Sequence, residues 1–191
     1  MTQKGKVSQD RILEAANQLF YTQGYNPTSL ADVAEETGIT KGNLHYHFRS
    51  KDELLEAVID QRLQGIRDTL QQWDQAHPEP RARLKRFVQM VLNEQAGIIR
   101  YGCPMGSLNV ELGKAQQPLQ AQARAMFDLF QAWLQKTFKQ MGCTNSKALS
   151  QHLLAMAQGA ALMSYVYADA RLLKRECQSI DEWIDKLEAG G

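Results

Sequence analysis

The chain has almost no net charge: 22 lysines and arginines face 21 aspartates and glutamates over 191 residues, with four histidines besides. That balance excludes a polybasic coat for nucleic acid and an acidic solvating tail, so any nucleic-acid binding has to come from a local arrangement. Cysteine is scarce as well. Three residues with no CxxC pair supply neither a disulfide framework nor a zinc ribbon, and they point to a reducing compartment. Met1 to Asp10 is polar and contains no apolar stretch of the kind an export leader needs, so a cytoplasmic protein is expected. Strand periodicity is missing too, since no run alternates apolar and polar residues with period two.

What is present is helical spacing, almost from end to end. Ile12, Leu13, Ala16, Leu19 and Phe20 mark one buried helix face, and Leu54, Leu55, Val58, Ile59, Leu63, Ile66, Leu70 and Trp73 mark another. Cap residues fall ahead of such segments: Ser8, Ser29 with Asp32, Thr40, and Ser50 with Glu53. Gly24 and Gly38 stand where helices stop. Beyond a polar break at residues 76–80, a segment runs through Leu84, Phe87, Val88, Val91 and Leu92, and Pro104 opens a short helix ending near Gly113. A long helix is expected from Pro118, another from Ser146 to about Leu173, and a last short one behind a Ser179–Glu182 capping box. The fold class is therefore all-α with about nine helices.

Residues 148–168 carry no charged side chain. A membrane span is rejected because Gln151, His152 and Gln158 would enter lipid without partners. A helix buried on two sides accounts for the pattern better. Leu149, Leu153, Met156 and Met163 are assigned to its own core, and Leu154, Ala157, Ala161 and Ala168, with Gly159 and Ala160, to an interface with a second copy.

Between Ser29 and Phe48 the spacing becomes specific. Leu30, Val33 and Ala34 face one way on a short helix, Thr37-Gly38-Ile39 makes a tight turn, and Leu44 with Phe48 anchors a second short helix. This is a helix-turn-helix pattern, with Thr40, Lys41, Asn43, Tyr46 and His47 on the open side and His45 nearby. Lysine donates to guanine O6 and N7, asparagine pairs with adenine, hydroxyls reach phosphates, and Gly42 permits a close approach.

From Arg11-Ile12-Leu13-Glu14-Ala15-Ala16 through Thr28-Ser29-Leu30-Ala31-Asp32-Val33-Ala34 and Gly38-Ile39-Thr40-Lys41-Gly42-Asn43-Leu44 to Tyr46-His47-Phe48-Arg49-Ser50-Lys51, the chain resembles the TetR family of transcriptional regulators. One departure is His45, which stands where such proteins commonly carry tyrosine. The resemblance implies a homodimeric regulator, usually a repressor. A DNA-binding domain is expected at 6–66, with its helix-turn-helix at about 29–48, and an effector and dimerisation domain at 67–191. Double-stranded operator DNA and a small apolar or electrophilic effector are the partners it implies, with no membrane and no cofactor. Carried over by position, Lys41, Gly42, Asn43, His45, Tyr46 and His47 face bases or backbone, while Thr28, Ser29 and Lys51 hold phosphates. Residues 1–52 hold six basic and six acidic side chains, but Lys41, Arg49 and Lys51 cluster around the recognition helix, and Lys4 with Lys6 form an arm toward the DNA backbone.

The remaining two thirds is less specific. Trp133, Phe127, Phe130, Tyr101, Met105, Met126 and Met156 suit an apolar effector pocket, although at helical spacing such residues are more often core. His152 is read as a satisfied buried group, with effector contact as its alternative. Cys103, just ahead of Pro104, stands near a helix N-terminus with Arg100 close in sequence, a setting that favours a thiolate. The stretch from Gly102 to Leu108 is similar to a segment in an electrophile-sensing branch of the same family. An alternative function is thus a thiol sensor in which modification of Cys103 releases DNA, set against an inert buried thiol. A helical enzyme is the weakest alternative, because the sequence has no HExxH, no phosphate loop, no nucleophile elbow and no paired carboxylates in an apolar setting.

Overall fold

Amphipathic segments closed by capping side chains and glycine stops produce a chain of helices, and among the described residues no strand occurs. The computed structural model describes residues 3–115 and 117–188, with the side chains of 3–6, 115 and 117 excepted, so the side chains of Lys4 and Lys6 lie outside the described residues. The helices are α1 (Gln3–Thr22), α2 (Leu30–Thr37), α3 (Lys41–His47), α4 (Lys51–Ala76), α5 (Pro80–Asn93), α6 (Gln95–Tyr101), α7 (Pro104–Ala115), α8 (Gln117–Gln140), α9 (Ser146–Val166) and α10 (Ala170–Asp185). Against an expectation of about nine, the described residues form ten helices, the fifth segment dividing at Glu94. Ser8 proves to lie inside α1 rather than ahead of it.

The chain divides into two compact units, one of Met1–Gln64 with Ser107–Met126 and the other of Gly65–Gly106 with Phe127–Gly191. The boundary expected at residue 66 is close to the first break, but the first unit also takes in a distant segment. Its core is built from Ile12, Ala16, Leu19, Phe20, Val33, Leu44, Phe48, Leu55 and Val58, all buried. Glu111 on α7 explains part of the distant segment's membership, because its carboxylate accepts from the backbone N–H of Tyr25 and of Asn26.

In the second unit α10 packs on α9 and α5, and α6 packs on α9. The core runs through Leu84, Phe87, Phe130, Trp133, Phe138, Leu153, Leu173, Cys177 and Ile184. Arg81 on α5 donates to the carbonyls of Ile184, Asp185 and Leu187, satisfying the open C-terminal end of α10.

Two expectations fail here. The helix begun at Ser146 stops at Val166, where Ala168 takes a left-handed φ of 49° and the Asp169 N–H returns to the Ser164 carbonyl. Asp169 then caps α10 by accepting from the Arg171 N–H, so Ser179 lies in mid-helix and starts nothing. The faces of α9 are also largely misassigned. Leu154, Ala157 and Ala161 belong to the unit's own core, and Ala168 sits in the exposed turn after α9. The outward side instead carries Leu162, Met163 and Val166, continued by Tyr165 and Tyr167, all exposed. Small side chains in a helix apolar all round serve close packing within one chain as readily as packing between chains, and the pattern carries no phase to separate them.

Candidate nucleic-acid interface

The arrangement of α2 and α3 is set by local hydrogen bonds. Ser29 accepts from the Asp32 N–H while Asp32 accepts from the Ser29 N–H, a reciprocal cap that starts α2. The bonds that the Ser29 N–H and hydroxyl donate to the Asp32 carboxylate hold that carboxyl below its ordinary range. Gly38 ends the helix at φ 66°, a conformation that costs a side chain-bearing residue energy, and its N–H returns to α2. Arg11 of α1 donates to the Thr37 carbonyl at 2.9 Å and ties the turn down. Thr40 then accepts from the Asn43 N–H and opens α3.

Leu44 is the buried residue of α3, and Phe48 is buried directly after it. Seven residues pinned at one edge leave the rest of the helix open: Thr40, Lys41, Gly42, Asn43, His45 and Tyr46 are exposed and His47 is half-buried. Tyr46 is 84% exposed, which no apolar packing within the chain explains, and its ring meets the edge of His47 at 5.3 Å. A Cβ at Gly42 would touch nothing within 4 Å, so packing within the chain does not require that glycine. A short, outward helix bearing lysine, asparagine, tyrosine and histidine, followed by exposed Arg49, has the shape and donor chemistry of a major-groove reader.

The three residues expected to hold phosphates are placed otherwise. Thr28 is buried, and its hydroxyl donates to the Gly24 carbonyl at 2.6 Å. The Ser29 hydroxyl donates to the Asp32 carboxylate, which already occupies the anion position at the start of α2. Lys51 turns onto the backbone, donating to the carbonyls of Tyr25 and Asn26 at 3.0 and 3.1 Å, with its ammonium 4.3 Å from the Tyr25 ring centre. Each was expected at the DNA surface because its position follows the family pattern, whereas its partners were fixed by folding.

Glu111 emerges as a residue that local sequence reasoning missed, and Tyr25 and Asp52, which follow the family pattern, as residues to which it gave no role. The buried Tyr25 donates its hydroxyl to Asp52, and burial, the Asp52 hydrogen bond and the nearby Asp52 and Glu111 charges all push its phenol above the ordinary value. Glu111 lies 85 and 86 residues from its two backbone donors, a separation no local motif reveals.

Of the expected effector residues, Phe130, Trp133, Cys103, Met105 and Met156 lie in or against the core of the second unit. Phe130 and Trp133 are core residues, and the Trp133 indole donates to Asp74. Met126 is fully buried and belongs to the first unit. His152 is exposed rather than buried, with its ring edge-on to Trp183 at 5.2 Å. Cys103 and Met105 are partly buried against the core, and Tyr101 is half-buried beneath the Arg100 guanidinium. The Cys103 sulfur accepts from the Gly106 N–H at 3.4 Å, which places it at the first turn of α7 as expected. A solvent-open depression of about 410 Å³ follows α8 along Ala132, Gln135, Lys136, Lys139 and Gln140, none of them among the expected lining. Among the described residues no helix is long and apolar enough to cross a membrane, and no group of three or more potential ligand side chains could hold a metal ion.

Residues 12–58 match the family of bacterial regulatory proteins of the tetR type, and residues 80–177 match the C-terminal domain of LmrA/YxaF-like transcriptional regulators. The chain belongs to the TetR family. An uncharacterized HTH-type transcriptional regulator from the lacX 3′ region of Lactococcus lactis subsp. lactis is 30% identical over 188 residues, 94% of each chain. The HTH-type transcriptional regulator LmrA of Bacillus subtilis is 29% identical over 162 residues, 82% of this chain and 86% of that one. A TetR transcriptional regulator of known structure from Legionella pneumophila superposes with a TM-score of 0.83 at 25% identity, covering 96% of this chain and 97% of its own. As a TetR-family protein the chain is a DNA-binding transcriptional regulator, and its helix-turn-helix is the α2–α3 pair described above.

Proposed function

We propose that this TetR-family chain is a cytoplasmic homodimeric repressor that binds a palindromic operator through α3 of each copy and leaves it when a small effector binds the second unit. The observation that carries the reading is the exposure of Lys41, Asn43, His45 and Tyr46 on a helix held by Leu44 and Phe48. Lys41 and Asn43 supply base-edge chemistry, while Tyr46, His45, His47 and Arg49 supply contacts to the sugar-phosphate backbone. The reading gives the chain no catalytic step.

Pairing is supported by the exposed run Leu162, Met163, Tyr165, Val166 and Tyr167, an apolar surface of the kind that marks association. An apolar effector is supported by Met105 and Met156, partly buried against the core of the second unit, since methionine side chains adapt to varied ligands. A second reading places the trigger at Cys103, where the bond from Gly106 orients the sulfur at a helix N-terminus. Release by quinones or aldehydes that survives Cys103→Ser rejects that second reading.

Footprinting on the DNA upstream of the coding region tests the main reading. A protected palindrome, lost in Asn43→Ala and Tyr46→Ala, is the expected result. Undiminished protection by both variants overturns it.

A further inference from the structure

The turn between α1 and α2 is held from several sides. Gly24 adopts φ 95°, and a Cβ there would come within 3.3 and 3.4 Å of the two Glu111 carboxylate oxygens. Glu111 Oε2 accepts from the Tyr25 N–H at 2.9 Å, and Oε1 accepts from the Asn26 N–H at 2.6 Å. Two successive amides converging on one carboxylate make a small anion-binding concavity, filled here from within the chain. The carbonyls of the same two residues bond Lys51, the Gly24 carbonyl bonds Thr28, and Ser29 caps α2 immediately afterwards. Since α2 packs on α3, the direction in which α2 leaves this turn sets where α3 presents its open side.

We propose that Glu111 is a positioning residue of the DNA-binding surface: it touches no DNA, and its carboxylate fixes the Gly24–Tyr25 and Tyr25–Asn26 peptides from which α2 and α3 are aimed. This rests on the DNA-binding reading above. The helix-turn-helix segment is therefore completed by a residue of α7, in keeping with the inclusion of Ser107–Met126 in the first unit. A glutamine at 111 keeps the length of the side chain but offers one acceptor oxygen and an NH₂ group to two N–H donors, leaving one amide opposed by a donor.

The test uses the full-length protein and a duplex carrying whatever sequence the wild-type chain enriches from a random library. Glu111→Gln is expected to weaken binding about tenfold or more, the scale of a lost charge-assisted hydrogen bond. The dependence of log K on log salt should keep its slope, because no phosphate contact is removed. Glu111→Asp, which retains both oxygens, should recover part of the affinity, and Tyr25 and Asn26 amides should exchange faster in Glu111→Gln than in wild type. Binding within twofold of wild type overturns the proposal, and so does a slope changed by about one, which would mean that the carboxylate acts on the DNA through its own charge. Should Glu111→Gln fail to fold, amide exchange in the wild-type protein decides: protected Tyr25 and Asn26 amides support the clamp, and exchange at unprotected rates overturns it. A wild-type chain that enriches no sequence fails the DNA-binding reading itself, an outcome distinct from equal binding by wild type and Glu111→Gln.

Discussion

Lys51 and Glu111 hold the same two residues with opposite charges: the carboxylate accepts from the N–H groups of Tyr25 and Asn26, and the ammonium donates to their carbonyls. Lys51 therefore belongs to the scaffold of the DNA-binding unit, whereas Lys41 belongs to its surface. Arg49→Ala, which removes a phosphate-contacting cation from that same surface, should lower the slope of log K against log salt by about one, and Lys51→Ala should leave that slope unchanged while destabilising the fold by about 1–2 kcal/mol. Salt titrations of operator binding paired with urea unfolding separate the two effects.

Asp74 joins three elements of the second unit, bonding Arg83 at 3.0 Å, the Trp133 indole at 2.9 Å and Lys136 at 3.1 Å. Burial works to raise its carboxyl, but the bonds from Arg83, Lys136 and Trp133 prevail and hold it below its ordinary 3.8. A depressed carboxyl gives stability that is complete above that ordinary value and fades as the pH falls through the folded one. Asp74→Ala should cost about 3 kcal/mol near neutrality by stranding the buried Arg83, with the deficit shrinking in acid. Chemical unfolding across pH 2–7 checks both the size and the direction.

Asp181 titrates in the opposite sense. Burial is the largest influence and Asp185 adds to it, so the carboxyl is raised despite the opposing pull of Lys85, and one of its oxygens has no hydrogen-bond partner. A raised carboxyl costs the fold stability once the pH exceeds its unfolded value. Asp181→Asn should therefore raise the melting temperature at neutral pH and give no gain at pH 3, as calorimetry at the two values would show.

Ala168 holds its left-handed φ of 49° without the freedom of glycine. Ala168→Gly should stabilise the chain by about 0.5–1 kcal/mol, after allowance for the larger unfolded-state entropy of glycine. Thermal unfolding of the pair of proteins measures it.

Leu162 and Val166 are 59% and 62% exposed, one turn apart on α9. A Leu162→Glu, Val166→Glu double variant should sediment as a monomer and lose most operator affinity, because each copy then binds a half-site alone. A dimer that persists in the variant contradicts the pairing surface.

The recognition element was legible because its signals are short-range: the reciprocal cap of Ser29 and Asp32, the αL stop at Gly38, the Thr40 cap, and the spacing of Leu44 to Phe48 all lie within twenty residues. The roles of Thr28, Lys51 and Glu111 were not, because each depends on where the chain returns after folding. Trp133 and Phe130 could not be sorted into pocket or core, since both settings use the same residue types. Ser179 and Glu182 spell a capping box, yet Leu173, Cys177, Ile180 and Ile184 had already committed one continuous face of α10 to the core. Cap motifs mark a start only where no helix is already running.

Recognition of DNA through α3 is tested most directly by selection of binding duplexes from a random library by the full-length chain, followed by affinity measurement with wild type and Asn43→Ala. An enriched palindrome with half-site centres about 34–36 Å apart, bound in a salt-dependent manner and weakened by Asn43→Ala, is the expected result. No enriched sequence, or equal binding of the palindrome by both proteins, would contradict it.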